Sequence, residues 1–175
     1  GIHCHNDSDC ATANSLEAIR RGATHVQGTI NGYGERCGNG NLCAIVPDLE
    51  LKMGLSSIGK DRLKGLTYAS RMVSEIANQK PPGNDAYVGL SAFTHKAGVH
   101  VNAMMKSLRT YEHVSPEDVG NSRRYLISDQ AGASNVQDKA AKLGIKLDRK
   151  SPEVRKIVEQ VHRMEASGYQ FEAAE

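Results

Sequence analysis

Tryptophan is absent, and the aromatic residues are six tyrosines and two phenylalanines, 5% of 175 residues. Lysine and arginine are scattered, and the net charge is only +2. There is no basic run with interleaved aromatics of the kind that holds nucleic acid. No apolar stretch approaches the roughly 20 residues of a membrane span. Neither nucleic acid nor a membrane is therefore an expected partner. Cysteine is missing from residue 44 onward: Cys4, Cys10, Cys37 and Cys43 are the full set. None of them forms a Cys-x-x-Cys pair, which argues against a structural zinc knuckle. Reduced thiols in a cytoplasmic protein are the expected reading. No secretory leader is expected, because Gly1 already reads as part of a strand. Apolar content is 39% and mean hydropathy −0.48, on the polar side for a self-contained core.

What is present begins at the first residues. Gly1-Ile2-His3-Cys4-His5 is short, stops abruptly at Asn6-Asp7, and reads as a buried strand. Side chains alternate along a strand, so His3 and His5 share one face and Cys4 takes the other. Two neutral imidazoles on one face can hold a borderline divalent cation such as zinc, manganese or cobalt. From the spacing alone, an incidental pair is the commoner alternative. Two ligands do not complete a site. Others must come from elsewhere, and the chain is expected to be the C-terminal part of something larger.

Further along, strands and helices alternate. A loop from Asp7 leads into a helix carrying Ala11, Ala13, Leu16 and Ile19, with Gly22 as its C-cap. Thr24 to Ile30 reads as a second strand, and Asn31-Gly32-Tyr33-Gly34 as a turn. A helix is expected from Asn41 to about Met53, disturbed by Pro47, then a third strand over Leu55 to Ile58. A longer helix should span Asp61 to Asn78. This order is that of a parallel α/β sheet built from units of ~30 residues. Chemistry in such folds gathers at the C-terminal ends of strands. His3, His5 and the Asn31–Asn39 loop occupy those ends.

Lys80-Pro81-Pro82-Gly83-Asn84 breaks the pattern as a linker. Beyond it come an apolar segment from Tyr87 to Phe93 and a stretch with His95 and His100. A short helix is expected from Val101 to Lys106, and a brief apolar segment at Tyr125-Leu126-Ile127. Ser115 and Ser151 stand before Pro116 and Pro152, each able to N-cap a helix. Another helix is expected from Asn135 to Leu143. The last one should run to Gly168, with Val154, Ile157, Val158, Val161 and Met164 on one face as core or interface packing.

His3-x-His5-Asn6-Asp7, followed by Gly28-Thr29-Ile30-Asn31-Gly32-x-Gly34-Glu35-Arg36-x-Gly38-Asn39, resembles a signature of the α-isopropylmalate synthase and homocitrate synthase family. These are acetyl-CoA-dependent Claisen-condensing enzymes on a TIM barrel. Phe93-Thr94-His95-Lys96-Ala97-Gly98-Val99-His100 is similar to the family's post-barrel motif, and Thr110-Tyr111-Glu112 with Ser115-Pro116-Glu117 continues it. The end, Gly168-Tyr169-Gln170-Phe171-Glu172, is most like the citramalate synthase branch. The resemblance covers essentially all 175 residues.

It implies an α/β fold: the C-terminal part of a TIM (β/α)8 barrel over residues 1–80, then mostly helical linker subdomains over 81–175. It implies that His3 and His5 bind a divalent metal (manganese, magnesium, zinc or cobalt), with Asn39 beside the metal or ligating it. The remaining carboxylate ligand would come from the family's first strand, which this chain lacks. The carboxylate that activates acetyl-CoA would likewise lie outside the chain. His100 and Tyr111 match the subdomain residues that reach the active site, His100 for proton transfer and Tyr111 as a positioning donor. The implied reaction joins acetyl-CoA to a short 2-oxo acid, in a homodimer formed through the post-barrel helices. Pyruvate is the favoured 2-oxo acid, and 2-oxoisovalerate or the homocitrate reaction the alternative. The isolated chain is expected to be inactive, and a non-catalytic interaction fragment is the contrasting hypothesis. Ala131-Gly132-Ala133 departs from the family's Ser-Gly-Arg.

Several residues keep a second reading. Asn39 could be a loop residue only, tolerant of left-handed backbone. Glu35-Arg36 is expected as a buried ion pair bracing its loop. His95 is expected to be structural rather than a contact for the CoA phosphate.

Overall fold

The structure, a computed structural model, describes residues 1–95, 103, 104, 107, 110–125 and 133–169. The chain divides into two compact units: Gly1–Phe93 with Val114–Ser122, and Thr94–His113 with Arg123–Glu175.

In the first unit, β1 (Ile2–His3) and β2 (Val26–Gln27) pair in parallel, Ile2 opposite Val26 and His3 opposite Gln27. The helix between them, α1 (Ala11–Arg20), begins where Asn6 Oδ1 accepts from the Ala11 N–H, 3.1 Å away. It ends at Gly22, whose φ of 103° suits glycine. The expected apolar face is partly wrong: Ala13 is exposed, while Ala11 and Ser15 are fully buried. Ser15 is tolerated there because its hydroxyl donates to the Ala11 carbonyl at 2.8 Å. β1 was expected to be buried, yet His3 and His5 are exposed and Ile2 and Cys4 half-buried. Among the described residues β1 pairs with β2 alone, so the histidine face has no layer over it.

Asn41 caps α2 (Leu42–Pro47) by accepting from the Cys43 N–H. Pro47 has no N–H to return to the preceding turn, and the chain continues past it as a wider π turn over Asp48–Lys52. The expected strand at Leu55–Ile58 does not form. The backbone N–H groups of Ser57, Ile58 and Gly59 all turn onto Glu50 Oε1, at 2.6, 2.8 and 2.8 Å. Donors committed to one buried carboxylate cannot serve a strand ladder. The helix expected over Asp61–Asn78 is two, α3 (Lys60–Leu63) and α4 (Leu66–Ile76), parted at Gly65.

The core of this unit gathers Cys43, Ala44, Leu63, Leu66, Tyr87, Val88, Phe93 and Val119. Segment 114–122 joins it through a short 3-10 turn, Pro116–Val119, after Ser115. Thr67 donates to the Val119 carbonyl, and Asn121 donates to the carbonyls of Tyr87 and Gly89.

In the second unit, β3 (Thr94–His95) pairs in parallel with β4 (Arg124–Tyr125). Two helices pack on each other, α5 (Ala133–Lys142) and α6 (Pro152–Ala166), burying Val136, Ala140, Val154 and Val161. Ser151 caps α6 as expected, accepting from the Val154 N–H. The α6 stripe holds except at Ile157, which is exposed. The expected helix over 101–106 lies outside the described residues except at 103 and 104. His100, Leu126, Ile127 and Ala131-Gly132 also lie outside them. No helix among the described residues is long and apolar enough to cross a membrane.

Candidate metal centre

The alternation read from residues 1–5 holds. His3 and His5 are both exposed, and their ring centroids lie 5.2 Å apart, edge to face at 73°. The loop following the 3-10 turn Ile30–Gly32 then runs back along the end of this strand. Asn6 N–H donates to the Gly38 carbonyl, and Gly40 N–H to the Cys4 carbonyl. These bonds make His5 and Asn39 an antiparallel bridge pair. Directly opposed residues of such a pair present their side chains on one face. Asn39 therefore stands with His5.

The Asn39 amide is half satisfied. Its Nδ2 donates to the Tyr33 carbonyl at 3.0 Å. Its Oδ1 is buried and has no hydrogen-bond partner. An acceptor left in that state costs about 1–3 kcal/mol, and a cation would satisfy it. Among the described residues no cluster of three or more His, Cys, Asp or Glu side chains is arranged to hold a metal. Within the described residues a third donor beside His3 and His5 would have to be of another type, and an amide oxygen qualifies. Two imidazoles and an amide oxygen suit a borderline or hard divalent cation and leave positions open for further ligands.

Glu35 and Arg36 do not form the expected buried pair. Glu35 is 90% exposed, and its carboxylate lies 3.9 Å from Arg36. Arg36 instead forks onto Asp7, Nε to Oδ1 at 2.7 Å and Nη2 to Oδ2 at 3.1 Å. A guanidinium matches a carboxylate in two parallel bonds, and Asp7 offers that geometry. The Arg36 hydrogen bond holds the Asp7 carboxyl below its usual range. The pair clips the Gly-Glu-Arg loop to the end of the histidine strand.

Sequence reasoning missed the anchor on the loop's other side. Asn31, at φ 61°, donates to the Ser70 carbonyl and Ser74 Oγ and accepts from Ser70 Oγ at 2.6 Å. Tyr33 hydroxyl also meets Ser74 Oγ, at 3.1 Å. Cys43 is fully buried beside this group, and burial pushes its thiol up. Two signals were available: Asn-Gly at a turn, and serines four apart on one helix face.

Tyr111 belongs to the second unit and is 45% exposed. Beside it in sequence, Glu112 is buried and takes a bidentate pair from Arg123 at 2.5 and 2.6 Å. His95 Nε2 lies 3.5 Å from Glu112 Oε1. His100 lies outside the described residues.

Residues 1–73 match the HMGL-like family model, and residues 87–168 the homocitrate synthase post-HMGL domain-like model. The chain thus joins an HMGL-like segment to a homocitrate synthase post-HMGL domain-like segment, in that order. Its relatives include an (R)-citramalate synthase of Geobacter sulfurreducens, 55% identical over 100% of this chain and 33% of the relative. An (R)-citramalate synthase of Synechocystis is 54% identical over 100% of this chain and 32% of the relative. A 2-isopropylmalate synthase of Brevibacillus brevis is 39% identical over 84% of this chain and 29% of its own length. The chain spans about a third of the length of the curated relatives it matches.

Proposed function

We propose that this chain is part of an acyltransferase that condenses acetyl-CoA with pyruvate and water to give citramalate and CoA, a step toward isoleucine. The observation that carries the reading is a coincidence of two things. The chain is 46 to 55% identical to (R)-citramalate synthases over nearly its whole length. Asn39, whose buried amide oxygen has no hydrogen-bond partner, also forms a bridge with His5, one of the two histidines of its first motif. The 39% identity to a 2-isopropylmalate synthase keeps 2-oxoisovalerate as the second reading.

In this proposal residues 1–80 are the last βα units of a TIM barrel and 81–175 its mostly helical post-barrel subdomains. The two matched segments, 1–73 and 87–168, support a division near there. His3 and His5 supply neutral nitrogen donors and Asn39 an oxygen donor to a divalent cation. When bound, that cation polarises the ketone of the 2-oxo acid as a Lewis acid. His100 is given the proton transfer, a task that an imidazole side chain suits. Tyr111 offers a phenol hydrogen bond to orient substrate. A homodimer through the post-barrel helices is supported by exposed Leu143, Ile145 and Ile157. A cytoplasmic setting accords with four free cysteines.

The test is a chimera in which this chain replaces the matching third of the Geobacter sulfurreducens protein. Thiol release from acetyl-CoA is measured with pyruvate, 2-oxobutyrate, 2-oxoisovalerate and 2-oxoglutarate, with manganese present. Release with pyruvate is expected, falling at least about a hundredfold on His3→Ala. A folded chimera that releases no thiol with any of the four overturns the proposal.

A further inference from the structure

Asn39 has two ends, and only one of them can ligate a cation. A flip of the amide would turn NH2 where the oxygen now lies, and NH2 is no ligand. What chooses the flip is the Tyr33 carbonyl, which can only accept. It takes two hydrogen bonds, one from Asn39 Nδ2 at 3.0 Å and one from the Thr29 hydroxyl at 2.6 Å. A carbonyl has two lone pairs, so this oxygen is fully engaged.

We infer that Thr29 is a positioning residue: through the Tyr33 carbonyl, its hydroxyl holds the Asn39 amide in the flip that leaves Oδ1 for the cation. The inference rests on the metal-site reading of His3, His5 and Asn39 proposed above.

Thr29 is built for the task. Its backbone is pinned on both sides: its N–H donates to the Gly40 carbonyl, and its own carbonyl accepts from Gly32 and Leu42 N–H. Its branched side chain has few rotamers, so the hydroxyl is a fixed point. It also stands at the N-cap of the Ile30–Gly32 turn, where a threonine oxygen ordinarily accepts from the backbone. Here it makes no cap bond and spends its donor on Tyr33. Gly34 completes the arrangement. A Cβ there would overlap Asn39 Nδ2, so only glycine lets the amide come this close. A flipped amide would set Oδ1 against the Tyr33 oxygen, two acceptors facing each other. The discrimination holds only while that carbonyl stays aimed at Asn39, and Thr29 keeps it there.

The experiment titrates manganese(II) into the chimera described above and follows loss of the free-ion EPR signal. Thr29→Ser and Thr29→Ala differ by the hydroxyl alone. Thr29→Ala is expected to weaken manganese binding about tenfold, and Thr29→Ser to stay within about twofold of the parent. In an Asn39→Ala background, Thr29→Ala should change affinity less than about twofold, since Thr29 acts through that amide. Thr29→Val, which keeps the branched shape, replaces Thr29→Ala if the latter loses the native circular dichroism spectrum. Equal losses with and without Asn39, or no loss at all, overturn the inference while His3→Ala still abolishes binding. A parent chimera that binds no manganese up to millimolar ion overturns the site reading and this inference with it.

Discussion

Single residues around Asn39 carry more than their types announce. Gly34 has an ordinary backbone angle, so glycine is not required there for chain conformation. It is required for room, because the Asn39 amide nitrogen occupies the space a Cβ would fill. Gly34→Ala should therefore leave the fold intact and displace the amide. We expect a circular dichroism melt close to that of the parent and manganese affinity at least about tenfold weaker. Parental affinity in a folded Gly34→Ala chain would show that Asn39 takes no part in binding. The histidines were readable from strand alternation alone. Arg36 was not, because its neighbour in sequence, Glu35, points into solvent and its true partner lies 29 positions away.

At the scale of elements, α2 and α6 start at their capping residues, while the helix expected over Asp61–Asn78 divides in two and one expected strand does not form. Leu55 to Ile58 has a fair strand composition, yet Glu50 gathers the donors of Ser57, Ile58 and Gly59. These N–H groups, Ser57 first and then Gly59, hold the Glu50 carboxyl below its ordinary value of 4.5. The unfolded chain therefore takes up this proton first as pH falls. The stabilisation is whole above the ordinary value and disappears as pH drops through the lower folded value. Glu50→Gln should lower the melting temperature at neutral pH. It should also flatten the loss of stability in acid that the parent shows. Parallel acid profiles for the two chains, measured by thermal melts, would contradict this.

For the whole molecule, the chain's relation to its relatives sets the expectation. It matches them over about a third of their length, and among the described residues no group of three or more His, Cys, Asp or Glu side chains could hold a metal. The 175-residue chain alone should release no thiol from acetyl-CoA with any of the four 2-oxo acids, and should bind manganese only weakly through His3 and His5. Thiol release by the isolated chain would sink that expectation. The two-unit organisation also has parts with no local signal. Segment 114–122 returns to the first unit through Thr67 and Asn121, contacts that span 52, 34 and 32 positions.

Sequence alone determined what depends on neighbours along the chain. The shared face of His3 and His5 follows from a period of two. The starts of α2 and α6 follow from Asn41 and Ser151, and the end of α1 from Gly22. The order of motifs was enough to point to the family. Tertiary structure decided what depends on partners far apart. It opposed Asn39 to His5, paired Arg36 with Asp7, and tied Asn31 to Ser70 and Ser74. It also turned Leu55–Ile58 into a cradle for Glu50. The reason is that a hydrogen bond is directional and exclusive. Which donor meets which acceptor is settled only when the chain has folded back on itself, and no local periodicity encodes that choice.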